Sequence, residues 1–321
     1  MEAAAPPPAL GRTRRVADRV GDRLLQVLTG ASSVLAILVI AAIVWKVVAG
    51  SWPAIHQFGI AFLWHQTWNP VTSVFGARDF VIGTLVTSFG AILIAAPLSI
   101  AIGLFLSELA PPSIRGPIGS LVDMLAAVPS VVVGLWGIYV LSPFVSQHIE
   151  PFLHRFLGWI PIFGGQPSEA GVFPAILVLA IMATPITSSI CRELFATVPR
   201  ELQEAAIGLG ATRWEMVKGV IIPHVRGGVV AGIILGLGRA LGEAIAVTQV
   251  IGNGTPLHLS LFGPGATLAS QLANQYSSAI SDLHVASLFY LGLILLVITF
   301  IANLVAQRIV LRFDVQSKGA S

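Results

Sequence analysis

Long apolar runs alternate with short polar ones along this chain. Six of the runs reach the length needed to cross a bilayer as a helix, about 20 predominantly apolar residues. They cover residues 24–48, 81–107, 121–147, 171–190, 227–252 and 285–307. The second run has no charged residue. The first carries Lys46 near its far end, the third Asp123 near its start, and the fifth Arg239 and Glu243 near its middle. The first run follows a basic stretch, as a secretory leader would. However, it exceeds the 7–15 residues of a leader's apolar core and no clean cleavage site follows. It is expected to be an uncleaved anchor.

Composition agrees with the pattern and excludes other classes. Of the 321 residues 55% are apolar and 10% charged, against about 25% charged in soluble domains. Disordered chains are poor in apolar residues and rich in charge, the opposite of this one. The lone cysteine, Cys191, can form no internal disulfide. The seven histidines (56, 65, 148, 154, 224, 258 and 284) show no paired ligand spacing, so no metal site is expected. What fits is an all-α membrane protein with six transmembrane helices.

Lys and Arg counts beside the spans set an orientation, because cytoplasmic segments carry the excess. With the N-terminus inside, fourteen of the 18 basic residues lie on cytoplasmic segments: Arg12, Arg14, Arg15, Arg19, Arg23, Arg115, Arg192, Arg200, Arg213, Lys218, Arg226, Arg308, Arg312 and Lys318. Lys46, Arg78 and Arg155 fall outside, and Arg239 falls within a span. Both termini are therefore expected in the cytoplasm. The net charge of +3 follows from this asymmetry and calls for no nucleic-acid partner. The domain reading is a basic, Pro-rich tail (1–23), a first span with an outer segment (24–80), a transmembrane domain (81–307) holding a cytoplasmic loop (191–226), and a tail (308–321). Trp52, Trp64 and Trp68 crowd the outer segment, either as an interfacial aromatic belt or as a docking surface. The aromatic stretch 151–162 leaves the same two readings.

The loop between the fourth and fifth runs is the informative segment. Pro199 followed by Glu201 and Glu204 predicts a helix start with acids in its first turn. Leu202, Ala205, Ala206 and Leu209 recur at helical spacing, and Gly208 and Gly210 are expected to stop the helix. A second amphipathic helix is expected from Thr212, with Trp214, Val217 and Val220 or Ile221 on one face and Pro223 closing it. The object is a helix–glycine turn–helix offering apolar side chains to a partner.

Glu204-Ala205-Ala206, then Gly210, then Val220 and Ile222-Pro223, resembles the E-A-A loop of ABC importer permeases. Val220 and Ile222 stand where that pattern has Ile and Leu. Three further stretches resemble the permeases of phosphate-specific ABC importers: Phe105 to Pro111, Leu125 to Gly137 and Gly238 to Ala244. The outer segment with Trp68-Asn69-Pro70, Phe75-Gly76 and Ile82-Gly83-Thr84-Leu85 is similar to the C-type subunit of that system rather than to its sister permease. The resemblance covers roughly residues 50–310. It implies a type I ABC importer permease fold in the bacterial plasma (inner) membrane and alternating-access import of inorganic phosphate. It further implies a sister permease, an ATPase homodimer docked on the E-A-A loop, and an external phosphate-binding protein. ATP and Mg would be used by the ATPase partner, so this chain would have no catalytic residue and bind no cofactor itself.

Arg239 and Glu243 are one helical turn apart if the fifth run is an unbroken helix. An Arg at a span centre costs about 2.5–3.5 kcal/mol on insertion scales, so a partner is expected. Either the two form an ion pair that locks the span, or they line a translocation path where the guanidinium fork suits a phosphate oxyanion. In the phosphate permeases the matching Arg and Glu are linked to transport. Gly228, Gly232, Gly236, Ala240 and Ala244 form a small-residue row, and Gly238, Gly242 and Ala246 a second, so close helices are expected on two sides. Pro97, Pro129 and Pro185 interrupt the second, third and fourth runs and are expected to kink them. Asp123 reads as an interfacial acid or a partner for a basic residue of a cytoplasmic loop.

No Gly-x-x-x-x-Gly-Lys-Ser/Thr loop is present, so ATP hydrolysis by that device is not expected of this chain. Two rival functions remain open. A permease for another oxyanion, such as sulfate or molybdate, would share every motif above. A secondary transporter would share the spans and the buried charges but would not need the E-A-A loop.

Overall fold

The computed structural model describes residues 12–255 and 259–318, with side chains from 21 to 255 and from 259 to 310. His258, and the side chains of Arg12, Arg14, Arg15, Arg19, Arg312 and Lys318, lie outside the described set. The chain divides into two units, residues 1–50 and 51–321. Nearly all of the described chain is helical: α1 (Arg12–Phe58), α2 (Arg78–Leu109), α3 (Pro112–Ala126), α4 (Ser130–Leu157), α5 (Val172–Ala196), α6 (Arg200–Gly208), α7 (Arg213–Gly242), α8 (Ile245–Val250), α9 (Leu268–Gln275) and α10 (Asp282–Lys318). Among the described residues, α1, α2, α4, α5, α7 and α10 are long and apolar enough to cross a membrane.

The first unit consists of the early part of α1, where apolar side chains from Leu24 to Ile43 are exposed. A helix apolar on all sides and exposed on all sides suits lipid as its solvent. The helix begins at Arg12, within the segment read as a tail, and α10 likewise runs on to Lys318.

The second unit is held by three apolar clusters. The central one joins α2, α5 and α8 through Ala91, Ala95, Val178, Leu179, Ala246 and Val250. A second, at the end away from the 191–226 loop, packs Phe62, Phe75 and Phe80 against Leu288, Tyr290 and Leu291 of α10. Trp68 belongs to this second core rather than to an aromatic belt. Its Nε1 donates to Gln275 Oε1 at 2.7 Å, and its ring meets Phe75 and Phe80 edge-on. Trp52 and Trp64 are exposed. The third cluster, at the loop end, joins Cys191, Phe195 and Val198 to Met216, Val217, Ile221 and Val225.

The small-residue row on α7 packs as expected along one side. A Cβ at Gly228 would lie 2.7 Å from Leu194, at Gly232 3.0 Å from Ile190, and at Gly236 2.6 Å from Thr187, all on α5. The second row does not. Gly238 and Gly242 face open space, and only Ala246 of that row is buried.

Three boundaries differ from the sequence expectation. The third run is two helices, because Pro129 disfavours helical geometry at the residue before it. Helix α3 stops at Ala126 and α4 starts after Pro129, whose carbonyl accepts from the Val132 and Val133 amides. Pro129 thus opens a span instead of kinking one, whereas α2 and α5 continue through Pro97 and Pro185. The fifth run is also two helices. Helix α7 starts as early as Arg213 and ends at Gly242, with Glu243 extended at φ −72° and ψ 114°. The break turns α8 onto α4, where a Cβ on Gly134 would sit 2.8 Å from Ala246 Cα and 2.7 Å from Gln249 Oε1. Finally, Pro223 does not close the loop helix. It lies just past a π-helical turn, Val217–Ile221, and the helix runs on into the span. A wider turn there absorbs the missing amide and the bulk of the ring.

The glycines separate into packed and open positions with different expected responses. A Cβ at Gly83 would overlap the Ala266 carbonyl oxygen, which is backbone and cannot rotate away. Gly83→Ala should therefore cost about 1–3 kcal/mol, the usual range for overpacking. Gly238→Ala faces open space within a helix and should not destabilise. Thermal unfolding of the two variants in detergent reads the difference, and equal midpoints would contradict the packing.

Candidate functional site

Helix α6 carries Glu204, Ala205 and Ala206. It begins after Pro199, with Glu201 in its first turn, and among the described residues none of its side chains is buried. Leu202, Ile207 and Leu209 are exposed, the last at 90%. Its end is a Schellman closure. The Ala211 amide donates to the Ala206 carbonyl at 3.1 Å and the Gly210 amide to Ile207 at 2.9 Å, with Gly210 at φ +90°. That closure requires a left-handed residue four positions after the residue whose carbonyl it satisfies. The spacing from Ala206 to Gly210 in the E-A-A pattern therefore has a backbone reason.

Helix α7 starts on a reciprocal cap that the sequence reading passed over, although Thr-x-x-Glu is its signature. The Glu215 amide donates to Thr212 Oγ1 at 3.3 Å and the Thr212 amide to Glu215 Oε2 at 2.8 Å. From there Met216, Val217 and Ile221 turn into the loop-end core, while Trp214, expected on that face, is exposed. Pro223 is exposed as well. The result is a platform from α7 on which Ala206 packs, with Leu202, Ile207 and Leu209 of α6 left exposed.

Arg239 occupies the last turn of α7. It borders a cavity of about 300 Å³ whose other walls are apolar: Ala126 at the end of α3, Val128 just after it, Val133 and Trp136 on α4, and Met182 on α5. Its Nε is buried without a hydrogen-bond partner. The expected pairing with Glu243 is absent. Because α7 ends at Gly242, Glu243 leaves the helical face, and its Oε1 instead accepts from the Ala246 amide at 3.4 Å at the start of α8. The guanidinium is eased by the negative end of the α7 dipole, and its donors remain available to an anion.

Asp123 does find a basic partner, at the end of a span. Arg192 Nη2 reaches Asp123 Oδ2 at 2.9 Å and Oδ1 at 3.2 Å, joining α3 to α5. A larger cavity of about 750 Å³ lies beside this pair, bordered by Arg115, Arg200, Glu204 and Arg213. The hydrogen bond from Arg192 holds the Asp123 carboxyl below its ordinary 3.8. A carboxylate with a lowered value contributes fully above the ordinary value and loses that contribution as pH falls through the lowered one. The contact is thus intact throughout the neutral range.

Residues 99–315 match the family model described as the binding-protein-dependent transport system inner membrane component. The chain belongs to that family. Among its relatives are the phosphate transport system permease proteins PstC of Mesorhizobium japonicum, 42% identical over 92% of both chains, and of Pasteurella multocida, 42% identical over 94% of this chain and 95% of the other. That of Haemophilus influenzae is 43% identical over 93% and 95%. Two solved ABC importers share the fold. One is an inward-facing MetNI methionine transporter, with TM-score 0.56 and 18% identity over 77% of this chain and 99% of that one. The other is a bacterial importer of the polysaccharide alginate, with TM-score 0.51 and 17% identity over 89% and 99%.

For a transport component of the inner membrane with six spans, this arrangement brings together some site residues and separates others. Glu204, Ala205, Ala206 and Gly210 share one short helix and its closure, and Pro223 stands about three turns into the next helix, α7. Arg239 lies at the far end of that same helix, and Glu243 just beyond it. The sequence reading missed Glu150, which follows the predicted end of the third span. Its carboxyl is buried at 0% exposure, where Oε2 accepts from the Ser168 amide at 2.8 Å.

Two variants test the loop. Gly210→Ala forces a side chain into left-handed geometry at about 1–2 kcal/mol, and Thr212→Ala removes a cap worth about 1 kcal/mol. Both should speed amide hydrogen exchange across residues 200–216 while α5 keeps its protection. Unchanged exchange in the loop would contradict the closure and the cap.

Proposed function

We propose that this chain is the C-type permease subunit of an ATP-driven importer of inorganic phosphate, working by alternating access. The observation that carries the reading is the joining by one helix, α7, of the exposed E-A-A platform at one end and the unpartnered Arg239 at the other. A docking element seated at the start of a helix whose other end carries an anion-seeking group suits a pore driven from its cytoplasmic side. The relatives named for phosphate transport, 42% identical over 92% of the chain, support phosphate over sulfate or molybdate.

In this reading the loop end faces the cytoplasm, with both termini. A PstB-like ATPase homodimer grips α6 through Glu204, Ala205, Ala206 and the exposed leucines, and Gly210 and Pro223 shape the loop. ATP and Mg serve that partner, and this chain holds no cofactor and no catalytic group. A PstA-like sister permease covers the open flank beside Gly238 and Gly242 and closes the pore. A PstS-like binding protein delivers phosphate from outside. ATP-driven closure of the ATPase pair pulls the loops together and rocks the spans.

Arg239 then meets the anion on the path. A guanidinium offers a planar donor fork to a phosphate oxyanion, and the apolar walls around it strengthen that attraction by excluding water. Because conduction requires release as well as binding, a single cation in an apolar wall suits passage better than a cage of donors. Glu243, at the helix break, holds the turn that places Arg239 and keeps a negative charge near the path.

The test is uptake of labelled phosphate by the assembled transporter in liposomes. ATP should drive uptake, sulfate and molybdate should compete poorly, and Arg239→Gln should abolish uptake while the variant still co-purifies with the ATPase. Arg239→Lys, which keeps the charge but not the fork, should retain a fraction. Normal uptake in Arg239→Gln, or uptake that follows ion gradients without ATP, would remove the reading.

A further inference from the structure

We infer that the Asp123–Arg192 contact is a clasp that passes movement of the ATPase-docking loop to the wall of the Arg239 cavity. The inference rests on the functional reading above and adds two positioning residues to it. Arg192 lies in the penultimate turn of α5, and the chain runs from there through Ala196 and Pro199 into α6. That corner is tied by two hydrogen bonds: the Leu202 amide donates to the Pro199 carbonyl at 3.2 Å and Gln203 Nε2 to the Val198 carbonyl at 3.3 Å. On the other side of the clasp, Asp123 stands just before Leu125 and Ala126, which line the Arg239 cavity together with Val128 and Val132. A displacement of α6 thus reaches the α3 side of the cavity wall through this ion pair and the Gly119 seat beside it.

The way α3 is held explains why the pair matters. Among the described residues Gly119 is the one residue of α3 that is buried. A Cβ there would overlap Arg192 Nη1, so the missing side chain is the seat of the guanidinium. Gly119 and Asp123 are one helical turn apart and grip the same side chain. Arg192 in turn is anchored by its backbone. Its amide lies 3.1 Å from where a Cβ on Gly103 would be, in close packing of α5 on α2, and its Nη2 reaches Ser189 Oγ at 3.5 Å. Both charged side chains keep partial exposure, 23% for Arg192 and 46% for Asp123. Exposed pairs contribute little to stability, so breaking this one leaves the fold in place and exposes its mechanical role.

The experiment measures phosphate moved per ATP hydrolysed by the complete transporter in liposomes. The variants are Asp123→Asn, Arg192→Gln, Gly119→Val and the exchanged pair Asp123→Arg with Arg192→Asp, with Arg239→Gln run alongside. The three single variants should assemble and hydrolyse ATP as the native complex does, but their phosphate per ATP should fall about tenfold, within the usual span of coupling between sites. The exchanged pair should recover much of the ratio. An unchanged ratio in the single variants overturns the clasp, as does an exchanged pair no better than the single variants. Normal uptake in Arg239→Gln sinks the underlying reading of the cavity. A normal ratio in Asp123→Asn beside an inactive Arg239→Gln sinks the clasp alone.

Discussion

The contact between α5 and α7 holds the two candidate sites in register. Gly228, Gly232 and Gly236 present bare backbone to Leu194, Ile190 and Thr187, so the helices approach closely over three turns. Within a bilayer, apolar surface gains nothing from leaving lipid for protein, and association rests on close packing. Small residues at a four-residue period supply it. At one end of this contact α5 and α7 bury Cys191, Phe195, Met216 and Ile221 together, which seats the loop. At the other end α7 delivers Arg239 to its cavity. Any change that opened the seam would loosen both sites at once.

Partial burial of a cation is the second constraint: Arg239 is half-buried with its Nε fully enclosed, and it makes no salt bridge among the described residues. A helix that continued past Gly242 would have kept Glu243 beneath Arg239 and neutralised it. The break removes the acid from that face and leaves the guanidinium with the helix dipole and an apolar enclosure. The same break sends α8 against Gly134 of α4, so the third and fifth spans meet near the cavity.

Much of this was legible in the residues, and the failures have physical causes. Span number followed from apolar length alone, and the loop helices followed from Pro199, Gly208, Gly210 and Thr212, all residues with strong local preferences. What periodicity could not foresee was where tertiary contact overrides it. Apolar content runs smoothly across Pro129 and across Gly242, so each run looked like one span although each is two helices. Pro223 looked like a terminator, but a π-helical turn accommodates it. Trp68 looked interfacial because its partner, Gln275, lies some two hundred residues away. Asp123 was legible as an acid that could pair with a basic loop residue, but not that the residue is Arg192, and Glu150 was missed, because a lone charge in a sequence does not name its partner.

In the proposed function an external anion and a cytoplasmic motor act on this one chain. The most direct measurement is ATP hydrolysis by the purified chain assembled with its sister permease and ATPase in liposomes, with the external binding protein added either empty or loaded with phosphate. The loaded protein should stimulate hydrolysis well above the empty one. Hydrolysis that ignores the loaded protein, in a complex that nonetheless assembles, would contradict it.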